Sequence, residues 1–170
     1  MTADHDDFEA FASARWPALV RSGVVLGCSL EEAHDLAQTT LLRCFTGWRR
    51  IRAADDRDAY VYRILLNCHR DSRRRRWWGE QPTETPPEPE ATPDSGARLA
   101  SVDAVRRALA DLPLIHRQVV VLRHLAQLSE QQTADLLGVA PGTVKSRLSR
   151  ALAQLATNDH LQDLREGPHA

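Results

Sequence analysis

Apolar residues recur at intervals of three and four along most of this sequence, and that spacing is the period of an amphipathic helix. In the N-terminal part it predicts a helix from Asp6 to about Ser22. Ser29-Leu-Glu-Glu forms a capping box, which predicts a second helix that reaches about Trp48. Asp58 is the expected N-cap of a third long helix, from Ala59 to about Arg76.

The same period continues in the C-terminal part of the chain. It predicts a helix that carries Val102 and Leu109 and ends before Pro113. A further helix is predicted over residues 115–126, although three consecutive valines there are typical of strands, because the sequence offers no second strand to pair with them. After residue 155 the tail is polar, and we expect it to be frayed.

The stretch from Ser129 to Leu155 contains the signals of two short helices around a tight turn. Ser129 and Gln132 form a capping box, Gly138 suits a left-handed C-cap, and Pro141 suits the first turn of a second helix. Four small or apolar side chains are spaced to meet between the helices: Ala134, Leu137, Val144 and Leu148. The pattern predicts a helix-turn-helix whose second helix enters a major groove. An ordinary helical hairpin with a solvated basic face is the alternative.

The outward face of that second helix is small, polar and cationic. At 100° per residue, Ser146 and Ser149 lie opposite the apolar side, with Lys145 and Arg150 beside them. No acidic residue occurs between positions 141 and 156, so this face can approach base edges. Ala140 occupies the N-cap position, where it offers no side-chain oxygen to the helix.

Charge is sorted along the chain, although the formal net charge is only −1. Residues 1–42 carry −5, residues 43–78 carry +7, residues 79–97 carry −5 and residues 98–170 carry +2. Segments of opposite charge imply different partners for different parts of the chain.

Residues 79–97 contain five prolines and five acids but no large apolar residue. Such a segment cannot bury enough surface to offset its ordering entropy, so we expect a flexible acidic linker. As polyproline II at ~3.1 Å per residue it would reach roughly 60 Å. The predicted organisation is therefore a domain over residues 1–78, the linker, a second domain over 98–157 and a tail from 158 to 170.

The third predicted helix carries a basic stripe opposite its apolar side. Arg63, Asn67, Arg70 and Arg74 follow one another at spacings of four, three and four, and Arg73, Arg75 and Arg76 extend the charge to Trp77 and Trp78. Guanidinium groups beside exposed aromatic rings suit phosphate contact together with stacking on unpaired bases. A solvated basic helix end with both tryptophans tucked under the domain is the alternative.

The sequence lacks the patterns of catalysis and of cofactor binding. There is no P-loop, no nucleophile elbow and no cluster of metal ligands, and the histidines are scattered. The three cysteines form no C-x-x-C pair, so buried reduced thiols are expected instead of a disulfide or zinc scaffold. Without a secretory signal or an apolar run of ~18 residues, we expect a cytoplasmic protein that is neither an enzyme nor inserted in a membrane.

Three longer pieces resemble a known family. DLAQTTLLRCFTGW (35–48) and DAYVYRILLNCHRDSRRRR (58–76) resemble region 2 of a sigma-70-family initiation factor, and LADLPLIHRQVVVLRHLAQLSEQQTADLLGVAPGTVKSRLSRAL (109–152) resembles region 4. With no further domain between them, the chain resembles an extracytoplasmic-function (ECF, group 4) sigma factor of actinobacterial type. The resemblance implies an all-α fold of two small helical domains, sigma-2-like and sigma-4-like.

The resemblance also implies partners and a role for each surface. Core RNA polymerase would bind the polar face of the second helix, at Asp35, Gln38, Thr39, Leu42 and Arg43. The −10 element would be held as it melts by Arg63, Asn67, Arg70, Arg73 and Arg74. The −35 element would be read by Thr143, Lys145, Ser146, Ser149 and Arg150, with Arg147 on phosphate. Some members of the family are held inactive by a partner protein, so an anti-sigma factor is a further candidate partner.

Two other functions stay open at this point. A stand-alone helix-turn-helix regulator would account for residues 129–155 but would leave the arginine helix without a purpose. A protein-only adaptor built of helical modules would need neither basic surface.

Overall fold

The computed structural model of the chain describes residues 2–78 and 95–166, and these residues form helices and connecting turns without a strand. The predicted all-α class is confirmed. The helices are α1 (Thr2–Val25), α2 (Leu30–Thr46), α3 (Trp48–Arg52), α4 (Arg57–Trp77), α5 (Ser95–Ala110), α6 (Leu114–Val120), α7 (Glu130–Leu137), α8 (Pro141–Ala156) and α9 (Asp159–Glu166). Below, α1–α4 are called the N-terminal module and α5–α9 the C-terminal module. Residues 79–94, which make up most of the predicted linker, lie outside the described residues.

Local signals explain most boundaries of the N-terminal module. Ser29 and Glu32 exchange both hydrogen bonds of the predicted capping box at the start of α2. The prediction that Asp58 caps the third helix was wrong by two residues. The carboxylate of Asp56 accepts from the amide N–H of Ala59 at 2.9 Å, and Asp58 lies inside the first turn, where it pairs with Arg15 of α1.

The helix-turn-helix of the C-terminal module follows its predicted chemistry. Ser129 and Gln132 form a complete capping box on α7, and Gly138 ends that helix in the left-handed conformation, at φ +66°. Ala134 and Val144 are buried together with Val119 of α6.

Two elements of the C-terminal module differ from expectation. The helix predicted over residues 115–126 is α6 followed directly by a π-helical turn, Val121–Leu125. The tail expected to fray instead contains α9, which packs on α5. Asn158 donates to the carboxylate of Asp111 at 2.9 Å, and its side-chain oxygen accepts from the N–H of His160.

The largest hydrophobic core contains residues of both modules. Its N-terminal members come mainly from α1, α2 and α4, with Leu19, Ile51 and Leu65 almost fully buried. The π-helical turn and the residues that follow it add four buried side chains to the same core: Val121, Leu122, Ala126 and Leu128. Since apolar burial is the main force that holds helices together, the two modules pack into one body.

Candidate nucleic-acid interface

The outward face of α8 is open to solvent. Val144 and Ala151 on its inner side are completely buried, which fixes how the helix is rotated. Among the residues predicted to read duplex DNA, Lys145, Ser146, Ser149 and Arg150 are exposed, and Thr143 and Arg147 are half-buried. Ala140 makes no side-chain capping bond, as expected from its sequence position. Its carbonyl instead accepts from the N–H of Thr143 at 2.9 Å, and Pro141 has no N–H to satisfy.

The basic stripe of α4 is a surface feature of the N-terminal module. Arg63, Arg70, Arg73 and Arg74 are exposed and Asn67 is half-buried. The guanidinium of Arg70 donates to the side-chain oxygen of Asn67 at 3.0 Å. Within the described part of the chain, no carboxylate pairs with Arg63, Arg73 or Arg74, so these charges are available to an anionic ligand.

A cleft of about 460 Å³ lies along this stripe. The stripe residues and Trp77 form one wall. The opposite wall belongs to the C-terminal module, through Leu114 and Gln118 of α6 and Leu136 and Leu137 of α7. The surface predicted for the −10 element therefore faces the first helix of the helix-turn-helix.

The two tryptophans at the end of α4 are not tucked under the domain. Trp77 is 89% exposed and Trp78 is 81% exposed. Trp77 lines the cleft beside the stripe, whereas Trp78 borders a second depression with Arg43 and Arg75. Indole rings that remain in water at the end of a basic helix are suited to stacking on unpaired bases.

The polar face of α2 lies on the outside of the N-terminal module. Asp35, Gln38, Leu42 and Arg43 are exposed and Thr39 is half-buried. Arg43 forms an ion pair with Asp71 of α4 at 3.2 Å, so its head group is already oriented by the module. This surface meets the stripe of α4 at one depression, which Arg43 and Arg74 both line.

The three cysteines are buried free thiols, as predicted. Burial raises the pKa of Cys28 to about 11 and that of Cys44 to about 12, so both side chains stay protonated and unreactive at neutral pH. Within the described residues, no group of three His, Cys, Asp or Glu side chains is arranged to hold a metal ion.

Residues between the modules were missed by sequence analysis. Arg117 of α6 reaches Gly27 at the end of α1, and a Cβ at position 27 would collide with its guanidinium. Gln132, predicted only as a capping residue, also donates to Asp56. His69, facing the same region from α4, is only 3% exposed. Arg117 and His69 carry no local sequence signal, because their partners lie far away in the chain.

Two family models match this chain, one in each part. The model of sigma-70 region 2 matches residues 18–79, and the model of sigma-70 region 4 matches residues 103–155. The RNA polymerase sigma-E factor of Streptomyces coelicolor is 39% identical over 161 residues, which cover 93% of this chain and 89% of that relative. The chain belongs to the sigma-70 family.

Within the family it is an ECF sigma factor of actinobacterial type. The ECF RNA polymerase sigma factor SigM of Mycobacterium tuberculosis is 36% identical over 126 residues, covering 74% of this chain and 63% of SigM. The fold is similar to that of the sigma factor RpoE of Bartonella quintana, crystallised with the anti-sigma factor NepR. The TM-score is 0.69 at 23% identity, with 96% of this chain and 99% of RpoE covered. Among the described helices, none combines the length and apolar character needed to cross a bilayer.

Proposed function

We propose that this chain is a dissociable specificity subunit of bacterial RNA polymerase, which binds the core enzyme and directs promoter recognition, DNA melting and transcription initiation. The observation that carries the proposal is the presence of two different basic surfaces in one sigma-family chain. The face of α8 suits duplex DNA, and the stripe of α4 with its exposed Trp77 suits opened strands. A stand-alone regulator would need only the first.

The recognition helix would read the −35 element in the major groove. Lys145 and Arg150 are long cations on its exposed face, and Ser146 and Ser149 between them leave room for base edges. Arg147, half-buried at the side of this face, would contact phosphate.

The stripe of α4 would hold the −10 element once its strands separate. Its exposed arginines would contact phosphates, while Asn67 would donate hydrogen bonds to unpaired bases and Trp77 would stack on one. No step requires catalysis by this chain. Melting would draw on binding free energy, because single strands are stabilised on the protein relative to the duplex.

The polar face of α2 would bind the core polymerase at its clamp, with Gln38, Thr39, Leu42 and Arg43 among the contacts and Asp35 at the edge. Leu42 is 63% exposed, and an exposed leucine among polar side chains is suited to a protein partner. The chain would then work beside polymerase in the cytoplasm. An anti-sigma factor is a further candidate partner, since RpoE of B. quintana was crystallised with one.

The test is in vitro transcription with core polymerase freed of other sigma factors, on a library of random promoters. Initiation at a defined sequence must depend on this chain. The double variant Lys145→Ala/Arg150→Ala should lower promoter affinity at least about 30-fold, since two lost base contacts cost ~1–3 kcal/mol each.

The matched control is Arg106→Ala/Arg107→Ala, which removes two cations that already pair with Asp103 on α5. It should leave promoter affinity close to that of the wild type. Duplex binding without core-dependent initiation would favour the stand-alone regulator. Full activity of the Lys145→Ala/Arg150→Ala variant would favour the protein-only adaptor.

A further inference from the structure

The cleft along the basic stripe of α4 differs from an open strand-binding groove, because it has a second wall. Its volume is about 460 Å³, and Leu136 and Leu137 of α7 line it on the side opposite the stripe. Small-molecule sites in proteins have volumes of about 300–1,000 Å³. The cleft therefore has room for one small ligand and not for a strand of several bases, and the chemistry of its walls indicates what that ligand is.

The cleft is strongly cationic. Four arginines of α4 line it, and none of the described residues around it is acidic. Arg63, Arg73 and Arg74 pair with no carboxylate in the described part of the chain, and Arg70 donates to the uncharged amide of Asn67 at 3.0 Å. Arg63 and Arg74 lie about 16 Å apart along the helix, at ~1.5 Å per residue. One phosphate group would use only part of this charge, so the cleft suits a ligand with several anionic groups.

The same cleft offers apolar surface to a flat ring. Trp77 lines it and is 89% exposed, so almost the whole indole is free to pack against a ligand. Leu114 and Leu136 on the other wall are half-buried and leave part of their side chains open to the cleft. Stacking of a nucleobase on an aromatic side chain is favourable for every base, because every base has a π face. The apolar part of the cleft therefore suits a nucleobase.

Gln118 adds an uncommitted polar group from α6. It lines the cleft, is half-buried, and makes no side-chain hydrogen bond to any residue that the structure describes. A primary amide has two N–H donors and an acceptor oxygen, which can bond to phosphate, ribose or a base edge. Because Gln118 lies on the wall opposite the stripe, it can be substituted without changing the arginines.

We propose that the cleft between the stripe of α4 and the wall formed by α6 and α7 is a binding site for a nucleoside polyphosphate. The arginines hold the phosphates, Trp77 stacks on the base and Gln118 bonds to the ligand from the opposite wall. Nucleotide binding itself does not rest on the function proposed above. Its consequence does, because a nucleotide in the cleft occupies arginines that would hold the −10 element and so competes with the opened strand.

Isothermal titration calorimetry of the full chain, at an ionic strength of about 0.15 M, measures the site directly. The probes are ATP and GTP, with inorganic triphosphate as the anion without a ring and adenosine as the ring without an anion. We expect at least one of the two nucleotides to bind once per chain and about tenfold more tightly than inorganic triphosphate, because stacking adds to the charge contacts. Adenosine should show no binding at the concentration at which that nucleotide saturates the chain.

Two pairs of variants locate the ligand. Trp77→Ala should lower nucleotide affinity about tenfold and leave triphosphate affinity unchanged, whereas Trp78→Ala, at the neighbouring indole outside the cleft, should bind as the wild type does. Gln118→Glu places a carboxylate in the cleft and should weaken nucleotide binding about tenfold, because it repels the phosphates. Gln162→Glu makes the same change at an exposed position on α9 and should have no effect.

Nucleotides that bind no more tightly than inorganic triphosphate would overturn the proposal, since the cleft would then be only a polyanion surface. Unchanged nucleotide affinity in Gln118→Glu would overturn it too, because the ligand would lie elsewhere. A labelled single-stranded oligothymidylate that binds while ATP and GTP do not would show that the stripe serves DNA alone. These outcomes differ from failure of the proposed function, in which the chain gives no core-dependent initiation but still binds nucleotide once per chain.

Discussion

His69 is a buried imidazole close to the boundary between the modules. Burial lowers its pKa from 6.5 to about 4, and the charges of Arg73, Arg76 and Arg117 act in the same direction against the weaker effect of Glu32. The unfolded chain takes up this proton near pH 6.5, whereas the folded chain resists it until about pH 4. The stability gained from neutral His69 is therefore present above pH 6.5 and is lost as the pH falls from there toward 4.

We expect His69→Gln to flatten this pH dependence. Between pH 7 and 5.5 the wild type should lose about 1 kcal/mol more of its unfolding free energy than the variant, because only its unfolded state gains the proton. Urea unfolding at several pH values above the range of the carboxyl groups measures the difference. Equal losses in the two proteins would mean that His69 takes up its proton over the same pH range in the folded and in the unfolded chain.

Local chemistry at single residues could be predicted where the partner is close in sequence. Both capping boxes lie within four residues, and Gly138 needs only its own backbone conformation. The choice between Asp56 and Asp58 as the cap of α4 could not be predicted from the sequence, because Asp58 forms an ion pair with Arg15 of α1 at 2.8 Å. The hydrogen bond from Gln132 to Asp56 spans 76 positions and left no pattern in the sequence.

At the scale of elements, two helical glycines are expected to respond in opposite ways to alanine. A Cβ on Gly23 of α1 would lie 2.8 Å from the Cβ of Ala33 and 3.0 Å from its Cα, so α1 and α2 would have to separate. A Cβ on Gly142 of α8 would meet no described atom within 4 Å.

Gly23→Ala should therefore destabilise the chain by about 1–3 kcal/mol, because the clash outweighs the gain in helix propensity. Gly142→Ala should be neutral or stabilising by up to about 1 kcal/mol. Denaturant unfolding of both variants decides the comparison. Stabilisation by Gly23→Ala would show that α1 and α2 do not approach as closely as described.

The type of nearly every element was predictable because each helix has its own apolar side and terminal signals. The lengths of the helices and the structure of the C-terminal tail were less predictable. α1 begins at Thr2 instead of Asp6, and α9 was taken for a frayed end although Asn158 offers a cap. That helix depends on Asp111, which directly follows α5, and no local pattern reveals this contact. The sequence likewise predicts an ordinary helix where the π-helical turn follows α6, because no local pattern distinguishes the two.

At the scale of the whole molecule, composition divides the chain into two parts, whereas the hydrophobic core contains residues of both. The acidic proline-rich segment indicates two units, and two family models match on its two sides. Yet Val121 and Leu122 complete a core built mostly by the other module. Apolar residues are equally good candidates for an internal core and for an interface, so their partner cannot be read from periodicity.

Because the core is shared, a destabilising substitution in the C-terminal module should also lower the stability of the N-terminal module. All four tryptophans of the chain lie within residues 1–78, so their fluorescence reports mainly on unfolding of that part. Leu122 is completely buried in the shared core, and Leu122→Ala should cost about 2–5 kcal/mol. We expect the urea midpoint to fall by the same amount in tryptophan fluorescence and in far-UV circular dichroism.

Val144→Ala is the control, since Val144 lies in the separate cluster with Val119 and Ala134 and should move the fluorescence midpoint less. A fluorescence midpoint that stays at the wild-type value in Leu122→Ala would show that the modules fold independently and that the interface contributes nothing to the stability of the N-terminal module.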